Sequence, residues 1–292
     1  MSRSALPLLV LTAVILAGCA TAPTAHQPSS AVTTGPEQSQ REEALHFVDA
    51  HRFSEAEPVL KALSNANAND SEVKLGLAEC ALGQAHLDEA EPLFASLAND
   101  AALRPKALQG LGITLLRRGD AQGAADALEQ ATLADPALWR AWNALAQAYD
   151  FQHNWNASRH AYESALHSAP NPAIIQNNLG MSMLAQERYD DALKAFDQAR
   201  LADPTLAAVT TNRQLALAMQ QRFPEATFAN QPEERARLLN NAGYIALMKG
   251  DYDHAERLFV EASESSPTYY GPAHENLQML EQLREKAQDK HS

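Results

Sequence analysis

Small and large apolar residues recur along most of the chain at the spacing of one helical face. Segments such as Leu87-Asp88-Glu89-Ala90 and Tyr189-Asp190-Asp191-Ala192 place an alanine three residues after a large apolar residue, with two acidic residues between them. A further large apolar residue follows each alanine by four positions, as at Phe94 and Phe196. Apolar residues three and four apart line one side of an α-helix. The pattern therefore predicts short amphipathic helices that contact one another through alanine.

These small-residue positions repeat with a fixed period of 34 residues. The six successive markers are Ala56, Ala90, Ala124, Ser158, Ala192 and Ala226. A helix-turn-helix unit of this length is typical of the tetratricopeptide repeat, where small residues let two antiparallel helices approach closely. We predict an all-α tetratricopeptide (TPR) helix-turn-helix solenoid of about seven repeats over residues 37–270. Residues 271–292 are predicted to form a C-terminal capping helix and tail.

Two features of the pattern predict local structure. Gly119-Asp120 and Gly250-Asp251 resemble turns in which glycine adopts the left-handed conformation and aspartate caps the next helix. The marker Ala255 lies 29 rather than 34 residues after Ala226, and the five missing residues fall near 230–233. We therefore expect a short second helix in the sixth repeat.

Composition and charge exclude several classes of function. The 292 residues include 36 acidic and 23 basic side chains, which give a net charge of −13. Nucleic-acid binding is not expected, because it requires a concentrated basic surface. No spacing of His or Cys matches a metal site, and the repeats leave no segment for a catalytic domain. The chain is therefore not expected to be an enzyme or to need a cofactor, a metal ion or a small-molecule substrate.

The amino terminus predicts a lipid anchor. A basic start is followed by an apolar run from Ala5 to Leu16, which is long enough for a secretory signal and too short to span a bilayer. The run ends in Leu16-Ala17-Gly18-Cys19, which resembles the lipobox of bacterial lipoproteins. This resemblance implies a signal peptide at 1–18 and acylation of Cys19.

The lipidated segment 19–40 is rich in Ala, Pro, Ser, Thr and Gln and is predicted to be a flexible tether. Multiple acyl chains on Cys19 would hold the protein stably on a membrane. Ala20 replaces the aspartate that resembling lipoproteins use for retention in the inner membrane. The expected location is the outer membrane of a Gram-negative bacterium, with the repeats facing the periplasm.

Asparagines on the first helices of the repeats are the candidate binding residues. Stacked repeats create a groove lined by these helices, which suits an extended peptide or a partner helix. Asparagine carries both a donor and an acceptor, and can pair with any peptide unit. Asparagine clamps the ligand backbone in many tetratricopeptide grooves, and it can also serve only to fix the helix pair. The candidate residues are Asn178, Asn212, Asn241, Asn177 and Asn240.

The region 173–277 resembles the TadD-like lipoproteins of the tight-adherence (Tad/Flp) pilus system. The resemblance rests on Asn177-Asn178-Leu179-Gly180, Thr211-Asn212-Arg213, Asn240-Asn241-Ala242-Gly243-Tyr244 and Ser266-Pro267-Thr268-Tyr269-Tyr270. It implies an outer-membrane scaffold for pilus assembly, whose partners are the secretin or other Tad components.

Two other functions remain open at this point. The first is a periplasmic adaptor that docks peptidoglycan hydrolases or synthases, as other outer-membrane tetratricopeptide lipoproteins do. The second is an enzyme with its active site in the groove, which would need a converging acid, base or nucleophile that the sequence does not provide.

Overall fold

The computed structural model describes residues 36–266 and 270–289, and all regular structure within them is helical. We number its fifteen helices in chain order. The first eight are α1 (Pro36–Asp49), α2 (Phe53–Ala66), α3 (Ser71–Gly83), α4 (Leu87–Leu97), α5 (Arg104–Arg118), α6 (Ala121–Ala134), α7 (Trp139–Phe151) and α8 (Trp155–Ser168). They are followed by α9 (Ala173–Ala185), α10 (Tyr189–Ala202), α11 (Ala207–Met219), α12 (Phe223–Ala226), α13 (Pro232–Met248), α14 (Tyr252–Ser265) and α15 (Gly271–Asp289).

These helices fall into two compact units. Unit N contains α1–α8 and unit C contains α9–α15, with the boundary between Pro170 and Asn171. Within each unit the helices pack as consecutive pairs, and the first helix of each pair also contacts the first helix of the next. Seven pairs followed by α15 confirm the predicted tetratricopeptide solenoid with its capping helix.

The small markers and the large residues that follow them form the cores of the two units. The six markers and Ala255 are at most 2% exposed. The large residues four positions later are at most 1% exposed, namely Leu60, Phe94, Leu128, Tyr162, Phe196 and Phe259. Burial of these side chains away from water drives the pairing of the helices.

Glycine on the first helix of a repeat allows a close approach to the second helix. A Cβ atom at Gly180 would lie 2.5 Å from the ring of Phe196. At Gly112 it would lie 2.4 Å from Leu128. Both distances are shorter than van der Waals contact allows, so these positions require a residue without a side chain unless the neighbour moves.

The turn inside every helix pair contains one residue with a positive φ. Gly119 (φ 88°) and Gly250 (φ 77°) occupy it in two repeats. Asp120 and Asp251 then accept the backbone N–H of the residue three positions later, which confirms the predicted caps. In the other five repeats this residue is not glycine, with φ between 56° and 63°, at His51, Ala85, His153, Glu187 and Gln221.

The second helix of the sixth repeat, α12, has only four residues, and α13 begins at Pro232, which confirms the short helix predicted from the 29-residue interval. Helix α1 begins at Pro36, so residues 36–40, at the end of the predicted tether, are helical. The expected signal peptide and Cys19 lie outside the described residues. Among the helices described, none has the length and apolar character needed to cross a membrane.

Candidate partner-binding site

The first helices of the repeats line a cavity in each unit. In unit N a cavity of about 480 Å³ is lined by residues of α1, α3, α5 and α7, of the turn after α1 and of the segments that precede α5 and α7. In unit C a cavity of about 300 Å³ is lined mainly by α11 and α13, with one residue each from α12 and α15. Both volumes lie in the range of small ligand or side-chain pockets.

Charged side chains line the cavity of unit N. Burial raises the pKa of half-buried Glu79, although Arg140 and Lys106 attract its ionised form. The guanidinium of Arg140 lies 5.4 Å from the centre of the Trp139 ring. Burial, followed by the charge of Arg140, lowers the pKa of His51. This cavity therefore presents both signs of charge beside apolar residues.

The cavity of unit C differs because none of the described residues that line it is charged. Its walls combine apolar side chains with neutral polar ones, namely Thr211, Asn212, Gln214, Leu215, Ala218, Ala226, Leu238, Asn240, Asn241, Ala242, Tyr244, Ile245 and Asn276. Such a surface accepts neutral groups and disfavours an unpaired charge, which loses its hydration there without gaining a counter-ion.

Side-chain amides join α9 to α11 and α13 to the capping helix α15 in unit C. Asn212 on α11 donates from Nδ2 to Oδ1 of Asn177 on α9 over 2.9 Å. Asn177 in turn donates to Oδ1 of Asn178 over 3.4 Å. The same kind of bond joins α13 to α15, where Nδ2 of Asn276 donates to Oδ1 of Asn240 over 2.9 Å. These bonds hold each pair of helices at a fixed spacing.

The five predicted asparagines occupy different environments. Asn177, Asn212 and Asn240 are buried, each at most 9% exposed, and hold neighbouring helices together. Asn178 is half-buried, whereas Asn241 is exposed and lines the cavity. Contact between these residues and a peptide stays a prediction, with Asn241 the most accessible of them.

Sequence reasoning missed two polar residues of this site. Gln214 lines the cavity, and its Oε1 is buried without a hydrogen-bond partner, as is Oδ1 of Asn212. Asn276 lies 36 residues after Asn240 and continues the pairing of amides. The 34-residue period did not reveal Asn276, because the spacing of paired amides is 35 and 36 residues.

A partly apolar stripe on α13 borders the same cavity. Asn241, Tyr244 and Met248 are three and four residues apart and therefore lie on one side of the helix. The two large side chains remain 41% and 44% exposed. We call these three residues the α13 stripe. Exposed apolar side chains beside a polar cavity are typical of surfaces that bind other proteins.

The described part of the chain contains no group of three or more His, Cys, Asp or Glu residues placed to hold a metal ion. Cys80 in α3 is buried, and burial raises the pKa of its thiol to about 12. A thiol with this pKa is a poor nucleophile at neutral pH.

Comparison with family models gives matches to the tetratricopeptide repeat. Models with that description match residues 47–111, 110–150 and 143–207. The matched residues cover more than half of the chain. No curated protein matches the sequence significantly.

Solved structures similar to this chain are also tetratricopeptide proteins. One from Parabacteroides merdae is 16% identical, with a TM-score of 0.55, and covers 84% of this chain and 98% of its own. The C-terminal part of another from Cytophaga hutchinsonii is 17% identical, with a TM-score of 0.54, covering 81% of this chain and 98% of its own. A thermophilic protein of Thermus thermophilus is 17% identical, with a TM-score of 0.55, and covers 62% of this chain and 98% of its own. These similarities establish the fold.

Proposed function

Because this chain belongs to the tetratricopeptide repeat family, whose repeats mediate protein–protein interactions, we propose that it is a lipid-anchored scaffold for assembly of the Tad/Flp pilus secretin. It sits in the outer membrane through acylated Cys19 and faces the periplasm. The repeats bind the secretin or another Tad component and carry out no chemistry themselves.

The α13 stripe and the adjoining cavity carry the interaction part of the proposal. Tyr244 and Met248 expose large apolar side chains that a bound protein would cover. Asn241, exposed between them and the cavity, offers a donor and an acceptor to the backbone of a bound segment. Removing apolar surface from water supplies the affinity, and the amides orient the segment.

The proposed role in the pilus system and the proposed membrane anchor rest on the sequence. Residues 173–277 resemble TadD-like lipoproteins, and this region contains the α13 stripe. The basic start, the apolar run and Leu16-Ala17-Gly18-Cys19 support a lipoprotein signal.

Photocrosslinking in the native bacterium tests the partner. A benzophenone amino acid replaces Tyr244 or Met248 in the full-length protein, and crosslinked products are identified by mass spectrometry. We expect the secretin or other Tad components at both positions. Leu133, an 85% exposed residue at the end of α6, provides the control position and should not give these products.

Two other outcomes contradict the proposal. Recovery of peptidoglycan hydrolases or synthases without a secretin supports the adaptor function instead. Absence of any specific crosslink at Tyr244 and Met248 shows that the α13 stripe does not bind a partner.

Asn241→Ala should reduce the yield of a specific crosslink at Tyr244 or Met248. It is a better probe than Asn212→Ala, since Asn212 also joins α11 to α9.

A separate experiment tests the anchor. Cys19→Ala should abolish incorporation of labelled palmitate and release the protein from the outer-membrane fraction. Label that persists in this variant, or no label in the unsubstituted protein, would contradict lipidation at Cys19.

A further inference from the structure

The cavity of unit N carries charges of opposite sign on different helices. The acidic residues that line it lie on α1 and α3, namely Asp49, Glu72 and Glu79. The basic residues that line it lie on α5 and α7, namely Lys106 and Arg140. Successive first helices contact one another in this unit. The charge along the cavity therefore changes from negative to positive between α3 and α5.

Three of these residues occupy the same position of the repeat. Glu72, Lys106 and Arg140 follow one another at intervals of 34 residues. Glu72 and Lys106 are exposed and Arg140 is half-buried, so a group from outside can reach all three. Glu72 pairs with Arg41 of α1 over 2.5 Å, which leaves Asp49 and Glu79 as the acids available to a ligand.

The carboxylate of Glu79 is not compensated. Within the described residues it has no hydrogen bond or ion pair, and the attraction of Arg140 and Lys106 does not offset the effect of burial on its pKa. Glu79 is half-buried and lines the cavity, so it remains accessible from there. The next four repeats have neutral residues at this position, namely Ile113, Gln147, Met181 and Leu215. A charge that the fold does not require and that lowers stability is typical of a binding residue.

The two basic residues are available as well. In the part of the chain that the structure describes, Lys106 forms no hydrogen bond or ion pair. Arg140 lies beside the ring of Trp139, and its Nη2 is 3.4 Å from Nε2 of His51. Neither contact neutralises the guanidinium, which has five N–H donors. An anion in the cavity can therefore pair with both side chains.

We propose that the unit N cavity binds a partner segment that carries one basic and one acidic side chain. The basic side chain pairs with Glu79 and Asp49, and the acidic one with Lys106 and Arg140. Because these pairs lie on different helices, they give the bound segment a single orientation. This site is separate from the α13 stripe and does not depend on the function proposed for it.

Segments with one sign of charge fit the cavity less well. A purely basic segment meets Lys106 and Arg140, and a purely acidic one meets Asp49 and Glu79, so that like charges repel in both cases. Apolar residues such as Leu75 also line the cavity and can cover the aliphatic parts of long charged side chains. Its volume of about 480 Å³ accommodates more than one side chain.

Counter-selected peptide display tests this charge pattern. Phage that carry random dodecapeptides are selected on the full-length protein, and those that also bind the double variant Glu79→Gln/Lys106→Gln are removed. We expect the remaining peptides to contain one Lys or Arg and one Asp or Glu in a constant order. In a fluorescent copy of the best peptide, replacing either charged residue by Gln should weaken binding about tenfold in fluorescence anisotropy.

Combined substitutions in protein and peptide assign the contacts. Glu79→Gln should reduce the effect of replacing the basic residue of the peptide and preserve the effect of replacing the acidic one. Lys106→Gln should do the reverse. The matched controls Glu163→Gln and Lys61→Gln remove exposed charges that do not line the cavity, and both effects should persist in them. Circular dichroism confirms that the variants remain folded.

Other results overturn the proposal. Peptides with a single sign of charge, with no charge or with no constant order show that the cavity does not bind a segment of this kind, as does the absence of any peptide that survives counter-selection. Effects that are additive in every combination show that Glu79 and Lys106 do not contact the charged side chains. Crosslinking at Tyr244 and Met248 tests the proposed function separately, because both residues belong to unit C.

Discussion

The one polar residue in the marker series is explained by the side chains that surround it. Ser158 replaces alanine in the marker series, and its hydroxyl donates to Oδ1 of buried Asp150 over 2.5 Å. The hydroxyl of fully buried Tyr162 donates to Oδ2 of the same carboxylate over 2.9 Å. Burial, with the charge of Asp150, raises the pKa of Tyr162 and keeps its hydroxyl protonated. The marker is therefore polar in this repeat because α7 brings a buried carboxylate to it.

Ser158→Ala should lower the free energy of unfolding by about 1–3 kcal/mol, because it removes one of the hydrogen bonds to a buried carboxylate. The repeat pattern alone predicts a neutral change, since alanine is the usual residue. Urea unfolding measures the difference. Ser164→Ala in the same helix removes only an exposed bond to the carbonyl of His160 and should change stability by less than about 0.5 kcal/mol. Equal effects of Ser158→Ala and Ser164→Ala would show that the hydrogen bond from Ser158 to Asp150 does not contribute to stability.

Glu79→Gln should stabilise unit N at neutral pH. Burial raises the folded-state pKa of Glu79 above its ordinary value of 4.5, so the folded protein binds the proton more tightly than the unfolded chain. The contribution of Glu79 to stability therefore falls as pH rises from below 4.5 through the folded-state pKa. The gain from Gln should be absent at about pH 4 and grow towards about pH 7 in urea unfolding. Glu163→Gln at an exposed site of α8 serves as the control. A gain that is independent of pH would exclude burial of the carboxylate as its cause.

At the scale of the helix pair, the turn determines which sequences are tolerated. All seven turns use a positive φ, yet only two contain glycine. Left-handed backbone costs free energy for a residue with a Cβ atom. The packing of the two helices against each other offsets this cost in the other five turns.

Gly119→Ala should cost about 1–2 kcal/mol through the backbone alone, because a Cβ there meets no atom within 4 Å. Ala85→Gly, at the equivalent turn, should raise stability by less than about 1 kcal/mol, since the added entropy of the unfolded chain offsets part of the relief. Thermal unfolding of both variants checks the opposite signs. Destabilisation by both changes would contradict a conformational origin.

At the scale of the whole molecule, stability is expected to be local to each unit. Repeat proteins are stabilised mainly by contacts between neighbouring helices. In unit C, α15 buries Ala273 and Leu280 and contacts α13 and α14. It therefore covers the face that the last repeat would otherwise expose to water.

Removal of residues 271–292 should increase amide hydrogen exchange in α13 and α14 at least about tenfold and leave α2–α6 of unit N unchanged. Hydrogen exchange with mass spectrometry resolves the two regions. Leu280→Ala, expected to cost about 2–5 kcal/mol, should reproduce the pattern more weakly without shortening the chain. A uniform increase in both units would show that the chain unfolds as one cooperative body.

The sequence by itself determined the class of fold, the register of the repeats and the short sixth repeat. These follow from periodicity, because a buried contact between two helices requires a small residue at the same place in every repeat, as at Ala192 and Ala255. The glycine turns were also readable, since few residues other than glycine adopt positive φ without cost. The five non-glycine turns were not readable, because packing overrides local preference there.

Only the tertiary structure decided which asparagines are buried and which are accessible. Asn240 and Asn241 are adjacent in sequence, yet one is bonded to Asn276 and the other faces solvent, since a rotation of about 100° per residue separates neighbours on a helix. The division into two units and the cavity with unpaired oxygens likewise depend on contacts between residues far apart in the chain. The physical reason is that periodicity specifies which face of each helix is buried. A binding site depends instead on which polar and apolar side chains the neighbouring helices leave accessible.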